Sequence, residues 1–317
     1  MLWLKGDQIR RRLTVKKTAG AIIISLIAAF PALGNASASE LDLASKWAPV
    51  HYQDTDSTDY DADYLTSANY DGDWNMLNNW ENQTRDPGRL KGSAYYSVSE
   101  TETHWFIIYS FYHPRDWTDY PDFGLDTHEN DLEGAMMIVR KNGGPSGTLE
   151  GMVTVSHNHF YSFVPAGSPL TNGEENIDGS ILMTDGRPST FQESKGHGLK
   201  AWNGKEFPGG DGVIYRPTAE GTVPSGGNDR NASYKLIPVT EPGGLWERRS
   251  SSETYASFGT FAGDNGKDNA ANAPWGWDDS DDSQERGAMA LDPAALTDAY
   301  FDGLGTFSKK YLVNPFR

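Results

Sequence analysis

Acidic side chains and one histidine crowd a stretch between two apolar runs, and their spacing suits metal binding. The stretch contains His128, Asp131 and Glu133 in H-x-x-D-x-E spacing. If the segment is extended, Asp131 and Glu133 share one face, because strand side chains alternate with a period of two. Carboxylates combined with an imidazole suit a hard or borderline divalent ion. The spacing predicts a metal site, with Mg²⁺ or Ca²⁺ preferred and Mn²⁺ or Zn²⁺ as alternatives.

Two predicted strands must position these side chains. Residues 105–112 are rich in aromatic and β-branched residues, which is typical of a strand, and Pro114 is expected to end it. Residues 135–139 form the next apolar run. The acidic residues therefore lie in or beside the connection between two neighbouring strands.

The segments YSFYHPRD and HENDLEG resemble the central block of the necrosis- and ethylene-inducing-peptide-like proteins, secreted cytolysins of plant-associated microbes. That family combines an aromatic strand and a Pro-Lys-Asp-type turn with the heptapeptide G-H-R-H-D-W-E. The resemblance implies a β-sandwich cavity that holds a divalent cation, with ligands at Asp116, His128, Asp131 and Glu133. It also implies binding of sugar head groups of plant sphingolipids through the ion.

The chain departs from the family pattern, and it is identified as a divergent bacterial member. Four heptapeptide positions differ, namely Thr127, Glu129, Asn130 and Leu132. The chain has no cysteine, whereas the family often carries a disulfide. Disulfides, zinc–thiolate sites and thiol catalysis are thereby excluded. An exported protein without disulfides favours a bacterial source.

Further candidate residues lie outside the heptapeptide. Residues 148–164 read as one long strand, on which His157 and His159 point to the same side and would face the Asp131/Glu133 edge. His197 lies between two glycines, which suits a cavity-lining position as well as a surface turn. Aromatic loop residues would contact a carbohydrate or a membrane interface; these are Trp117, Tyr120, Phe123, Trp275 and Trp277.

The composition favours an all-β fold. Glycine (34), proline (17), tyrosine (15) and tryptophan (10) are plentiful, which indicates short strands and many turns. We expect residues 39–317 to form a single-domain β-sandwich with long loops and a few short helices. The best helix is expected at 292–301, with Pro293 at its first position after a capping Asp292, and a short one at 41–46. The acidic segment 51–63 reads as a solvated loop, with a loosely built Ca²⁺ site as the alternative.

Residues 1–38 have the features of a secretory signal peptide. A basic region precedes an apolar run, and Ala36-Ser37-Ala38 fits the cleavage rule for small residues. The apolar run is too short and interrupted for a stable membrane span. The expected location is secreted or periplasmic. An ordinary Sec signal is favoured over twin-arginine export, although Arg10 and Arg11 are adjacent.

The charge of the chain limits its partners. The net charge is −17, and residues 1–38 carry +5 from six basic residues and Asp7, so the remainder carries −22. This charge excludes general phosphate binding to nucleic acid and favours divalent cations. It disfavours an anionic bilayer unless a cation or a specific head group bridges the two surfaces. A monomer is assumed, because the sequence does not indicate an oligomeric state.

Three functions fit these residues. The first is a cytolysin-type protein that binds a glycolipid or carbohydrate through its ion. The second is a metal-dependent hydrolase of phosphoesters or glycoconjugates, with His157, His159 or His197 as acid or base; no common hydrolase motif is present. The third is a non-catalytic domain with a structural ion. The first two predict open metal positions in a cavity, and the third predicts a closed protein shell.

Overall fold

The computed structural model describes residues 39–121 and 123–317. The expected signal peptide, residues 1–38, lies outside the described residues. The α-helices are α1 (Glu40–Trp47), α2 (Asn79–Arg85), α3 (Ala288–Leu291) and α4 (Pro293–Tyr300). Short 3₁₀ turns occur at Tyr60–Asp63, Pro87–Arg89, Pro208–Gly210 and Pro274–Gly276. No helix in the described part of the chain is both long and apolar enough to cross a membrane.

Most of the regular structure is β-strand, as the composition predicts. The strands of the first half are β1 (Val50–Asp54), β2 (Ser93–Thr101), β3 (His104–Asp116), β4 (His128–Arg140), β5 (Thr148–Ser156) and β6 (His159–Pro165). The middle strands are β7 (Thr171–Asn172), β8 (Ile177–Ile181), β9 (Met183–Thr184), β10 (Arg187–Gln192), β11 (Leu199–Ala201), β12 (Gly212–Pro217) and β13 (Ala232–Pro238). The last strands are β14 (Tyr255–Ser257), β15 (Thr260–Phe261), β16 (Phe301–Asp302) and β17 (Tyr311–Val313).

Thirteen of these strands form one large sheet in the order β11-β10-β1-β12-β13-β2-β3-β4-β5-β6-β8, with β17 beside β2 and β9 beside β10. The central meander β2–β6 is antiparallel, and the edges include parallel pairs such as β1–β10 and β6–β8. The end strand β11 returns to contact β4, β5 and β8, so the sheet nearly closes on itself. The prediction of a β-rich fold is confirmed, and the arrangement of these strands as a β-sandwich stays a prediction.

Local sequence explains the helices that were predicted. Ser39 caps α1: its hydroxyl accepts from the Asp42 amide while the Asp42 carboxylate accepts from the Ser39 amide. In α4, Pro293 occupies the first turn, where its missing N–H is not needed, and the Asp292 carboxylate accepts from the Ala295 amide. Both predicted helices are confirmed.

Two strand predictions were wrong. Strand β3 does not end at Pro114 but continues to Asp116, because the ladder with β4 shifts register there and Arg115 faces two residues of β4. A proline without an N–H is tolerated at such a bulge. The expected single strand over 148–164 is instead β5 and β6, joined by a turn in which His157 has φ of +60°.

The core lies on both sides of the central strands. Nearly every residue of β3 and β4 is buried. On one side Tyr109 packs towards α1 and its hydroxyl donates to the Ala44 carbonyl at 2.6 Å. This buried β3–β4 hairpin ends at the acidic loop, so core packing positions the strand ends from which the candidate site is built.

Candidate metal centre

The four predicted metal ligands converge at the loop end of the β3–β4 hairpin. Asp116 lies opposite His128 in the ladder. Asp131 and Glu133 follow on β4, and all four side chains line one cavity of about 610 Å³. Strand alternation places Asp131 and Glu133 on one face, as expected from their spacing. That these residues bind an ion stays a prediction.

His128 is oriented as a metal ligand would be. Its Nδ1 lies 2.7 Å from the Asn130 carbonyl oxygen. A carbonyl can only accept, so in the neutral ring Nδ1 carries the proton and Nε2 keeps a lone pair. Nε2 lies 3.5 Å from Asp116 Oδ2. Two atoms that bind one ion at about 2.1–2.4 Å and at right angles lie about 3.0–3.4 Å apart, so this pair is close to the spacing an ion needs.

A buried imidazole holds Asp131 in place. His197 Nδ1 lies 3.0 Å from Asp131 Oδ2, and its Nε2 lies 3.3 Å from Asp63 Oδ1. Burial lowers the pKa of His197, but the hydrogen bonds and charges of Asp131 and Asp63 outweigh it and raise the pKa to about 9. The charged imidazole in turn lowers the pKa of Asp131 despite its burial. The ring also stacks on His113 at 3.7 Å.

The negative charges of the other two carboxyl groups, Asp116 and Glu133, are poorly compensated by their surroundings. Burial, followed by the charge of Asp131, raises the pKa of Asp116 to about 8. Burial and the same charge raise the pKa of Glu133 well above its usual value. Glu133 accepts from two backbone amides, His157 N at 2.5 Å and Leu199 N at 3.1 Å, which orient the carboxylate. Three buried carboxyl groups with one buried imidazolium are an environment that a divalent cation would stabilise.

The four predicted ligand side chains are less closely grouped than two other acidic groups of the structure. Among the described residues, the sets of three acidic or histidine side chains with ligand atoms all within 4.8 Å of one another are His159–Asp279–Asp281 and Glu175–Asp279–Asp282, both outside this cavity. No three of the four cavity side chains form such a set, so their spacing does not by itself indicate a bound ion.

His157 and His159 lie in different places. His157, in the β5–β6 turn, lines the cavity with Nδ1 3.6 Å from Glu133 Oε1, and its Nε2 lies 3.1 Å from Glu193. The hydrogen bond to Glu193 raises the pKa of His157. His159 begins β6 and its Nδ1 lies 2.8 Å from Asp281, away from the cavity lining. The expectation that both rings share one side was wrong, because the turn at residues 157–158 interrupts the alternation.

Tryptophans form part of the cavity wall. Trp117 lines the cavity, and its Nε1 donates to Asp63 Oδ1 at 2.9 Å. Trp277 lines it too, and donates from Nε1 to the Leu132 carbonyl at 2.8 Å. Gly134 leaves room for this ring, since a Cβ there would lie 2.4 Å from Trp277 and 2.2 Å from the Tyr109 carbonyl oxygen. Trp275, predicted at the rim, is instead buried in the core.

Several site residues were missed by sequence reasoning. Asp63 belongs to the segment 51–63 that reads as a solvated loop, yet it is fully buried against His197. Glu193, which pairs with His157, and Lys267, which lines the cavity, lie far away along the chain. No local signal marks these three, because their roles depend on contacts between distant strands and loops.

The loop between β3 and β4 exposes apolar side chains at the side of the cavity. Tyr120, Phe123 and Leu125 are 76%, 93% and 71% exposed. The loop ends, Asp116 and His128, are cavity residues. These three exposed side chains lie within six residues of one loop, which makes the loop a candidate interaction surface.

Comparison with solved structures returns necrosis- and ethylene-inducing proteins. The non-toxic protein HaNLP3 is 15% identical, with a TM-score of 0.34 and coverage of 50% of this chain and 67% of that chain. Necrosis and ethylene inducing protein 2, from the causal agent of cocoa's witches' broom disease, is 15% identical, with a TM-score of 0.33 and coverage of 54% and 73%. NLPPya in complex with mannosamine is 14% identical, with a TM-score of 0.30 and coverage of 52% and 67%.

These matches span about two thirds of the length of the solved chains. They are proteins of the family that the sequence resembles. No protein-family model and no curated protein matches the chain.

Proposed function

We propose that this chain is an exported protein of the cytolysin type that binds a sugar-bearing head group through a divalent cation at a membrane surface. The observation that carries the proposal is the cavity of about 610 Å³, in which Asp116, His128, Asp131 and Glu133 converge beside two tryptophans. Export rests on the signal-like segment at residues 1–38.

The cation would be held by the three carboxylates and His128. Oxygen-rich sets of this kind suit Ca²⁺ or Mg²⁺, and the single imidazole also admits Mn²⁺ or Zn²⁺. A bound ion would offer open positions to ligand hydroxyl groups. The buried His197 would orient Asp131 without binding the ion itself, since both of its nitrogens are engaged by carboxylates.

A sugar fits the rest of the cavity lining. Polar side chains such as Asn158 and Asn272 offer amide donors and acceptors, and the largely buried Trp117 and Trp277 form part of the cavity wall. An amino sugar adds a positive charge that the acidic cavity would attract. Mannosamine and glucosamine, which are the ligands in two NLPPya structures, are therefore suitable first probes.

The exposed loop would contact the lipid. Tyr120, Phe123 and Leu125 are apolar or amphipathic side chains that favour the interfacial region of a bilayer. The net charge, −17 for the whole chain and −22 without residues 1–38, opposes binding to an anionic membrane. The target surface is therefore a neutral, glycosylated lipid, and the ion and sugar supply the specificity.

Calorimetry with Ca²⁺ and Mg²⁺ tests the site, and Glu133→Gln is the decisive variant. This substitution keeps the size of the side chain and removes its charge, so we expect loss of the cavity ion. The control Glu206→Gln makes the same charge change at an exposed residue outside the cavity and should bind as wild type. Wild-type affinity in Glu133→Gln would contradict the site.

Leakage of vesicles tests the function. Neutral phosphatidylcholine vesicles with and without a glycosylated sphingolipid are compared in the presence of the ion and of a chelator. We expect leakage that requires both the glycolipid and the ion, and that Glu133→Gln abolishes. Leakage that is equal with the chelator would refute the proposal.

Hydrolysis is a second candidate, and one observation favours it. His157 lines the cavity and its Nε2 lies 3.1 Å from Glu193, which is the arrangement of an oriented general acid or base. A bound ion would supply an activated water molecule. Chromogenic phosphodiesters and glycosides test it: turnover that His157→Gln abolishes would support hydrolysis, and no wild-type turnover on either class would exclude it for these substrates.

A further inference from the structure

A second group of acidic residues lies outside the cavity. Asp279, Asp281 and Asp282 belong to the loop before α3, Glu175 precedes β8, and His159 begins β6. Within this group, His159, Asp279 and Asp281 offer ligand atoms that all lie within 4.8 Å of one another, and so do Glu175, Asp279 and Asp282. Asp279 is common to both sets and is therefore the centre of the group.

The central carboxylate is buried and one of its oxygens is unpartnered. Asp279 is only 4% exposed. Its Oδ2 accepts from the Tyr300 hydroxyl, whereas Oδ1 makes no hydrogen bond with the described residues. Asp282 Oδ2 is likewise buried without a hydrogen-bond partner in the described chain. Buried carboxylate oxygens are normally paired, so two unpaired ones in one cluster point to a ligand.

The group has little positive charge of its own. In the described part of the chain, the ion pair within this group joins His159 Nδ1 and Asp281 Oδ1 at 2.8 Å. Four carboxylates are thus gathered with one imidazole. Mutual repulsion between carboxylates in a partly buried group is relieved when they share a cation.

We propose that this group is a Ca²⁺ site, held by Glu175, Asp279 and Asp282 with Asp281 at its edge. Ca²⁺ is favoured because the closely spaced ligands are mostly carboxylate oxygens, from one loop and a distant segment, and Ca²⁺ accepts variable oxygen geometry. Zn²⁺ would prefer more nitrogen or sulfur ligands.

The position of the site gives the ion a role at the cavity. Ser280, inside the acidic loop, donates its amide to the Asn158 carbonyl, and the Asn158 side chain donates to the Ser280 hydroxyl, each at 2.9 Å. Asn158 and Trp277 line the cavity. The Ca²⁺ ion would pin the loop that follows Trp277 against the β5–β6 turn and so hold one wall of the cavity. The site itself does not depend on the function proposed above.

Counting Ca²⁺ equivalents tests the proposal. The purified protein is titrated with Ca²⁺ by calorimetry, alone and in the Glu133→Gln background, which removes the cavity site. We expect one equivalent to remain in Glu133→Gln and to be lost when Asp282→Asn or Glu175→Gln is added. The matched control Asp278→Asn removes the same charge from an exposed neighbour in the same loop and should keep that equivalent.

The outcomes separate the two sites. Loss of the equivalent in Asp282→Asn and Glu175→Gln, with its retention in Asp278→Asn, supports the second site even if the cavity binds nothing. Unchanged Ca²⁺ binding in both variants overturns it, as does the absence of any Ca²⁺ binding in Glu133→Gln. Asp282 and Glu175 are chosen because they are only partly buried, whereas Asp279 is buried. Substitutions at the two partly buried residues should therefore disturb folding less than Asp279→Asn would, and circular dichroism checks that the variants are folded.

Discussion

The buried imidazole of His51 should make this protein sensitive to acid. His51 is fully buried and stacks on Phe111 at 4.2 Å, and its Nδ1 lies 3.0 Å from the Thr190 hydroxyl. Burial lowers the pKa of His51 from 6.5 to about 3. Protonation would place a charge in the core, where the described partners of the ring are the uncharged Thr190 and Gln53.

The sign and size of the effect of His51 on stability follow from the linkage between protonation and folding. Because the folded pKa lies below the unfolded one, the unfolded chain binds more protons below pH 6.5. The contribution of His51 is complete above pH 6.5 and is lost as the pH falls from there towards 3. At pH 5 the loss is about 2 kcal/mol, from 1.36 kcal/mol per pH unit over about 1.5 units.

Urea denaturation at pH 8 and pH 5 measures this effect. We expect the free energy of unfolding of His51→Gln to fall by about 2 kcal/mol less than that of wild type between the two pH values. Phe111→Leu is the control, because it weakens packing on the same ring without removing the titrating group, and its pH dependence should match wild type. Equal pH dependence in His51→Gln and wild type would refute the reasoning.

Three further changes test the fold and the cavity. Gly134→Ala places a Cβ against the Tyr109 carbonyl oxygen and Trp277. We expect the free energy of unfolding, measured by urea denaturation, to fall by about 1–3 kcal/mol and the tryptophan fluorescence to change. An unchanged fluorescence spectrum would contradict the packing of Trp277 against Gly134. Asp292→Ala removes the cap of α4 and should lower the free energy of unfolding, measured by thermal denaturation, by about 1 kcal/mol. Asp298 lies in the same helix but does not cap it, so Asp298→Ala should lower this free energy by less. Phe123→Ser at a 93% exposed position should leave stability unchanged within about 0.5 kcal/mol while reducing vesicle binding measured by co-sedimentation; unaltered vesicle binding would remove the loop from the proposed membrane surface.

Local patterns predicted the elements that local forces specify. The capping Asp292 and the following Pro293 marked α4, because the cap satisfies an amide within the next three residues. Alternation placed Asp131 and Glu133 on one face, because it depends only on the extended backbone. The same rule failed at His157 and His159, where a residue with φ of +60° makes a turn inside an apolar run that reads as continuous.

The sequence by itself determined the β-rich composition, the central hairpin and the acidic spacing along β4. Only the tertiary structure decided what surrounds that spacing. His197 meets Asp131 across 66 residues and Asp63 across 134 residues, because the curled sheet brings β11 back over β4. Such contacts depend on the order of distant strands in the sheet, and the local pattern of residues along the sequence does not determine that order. The buried Asp63–His197–Asp131 arrangement therefore became visible only in the folded chain.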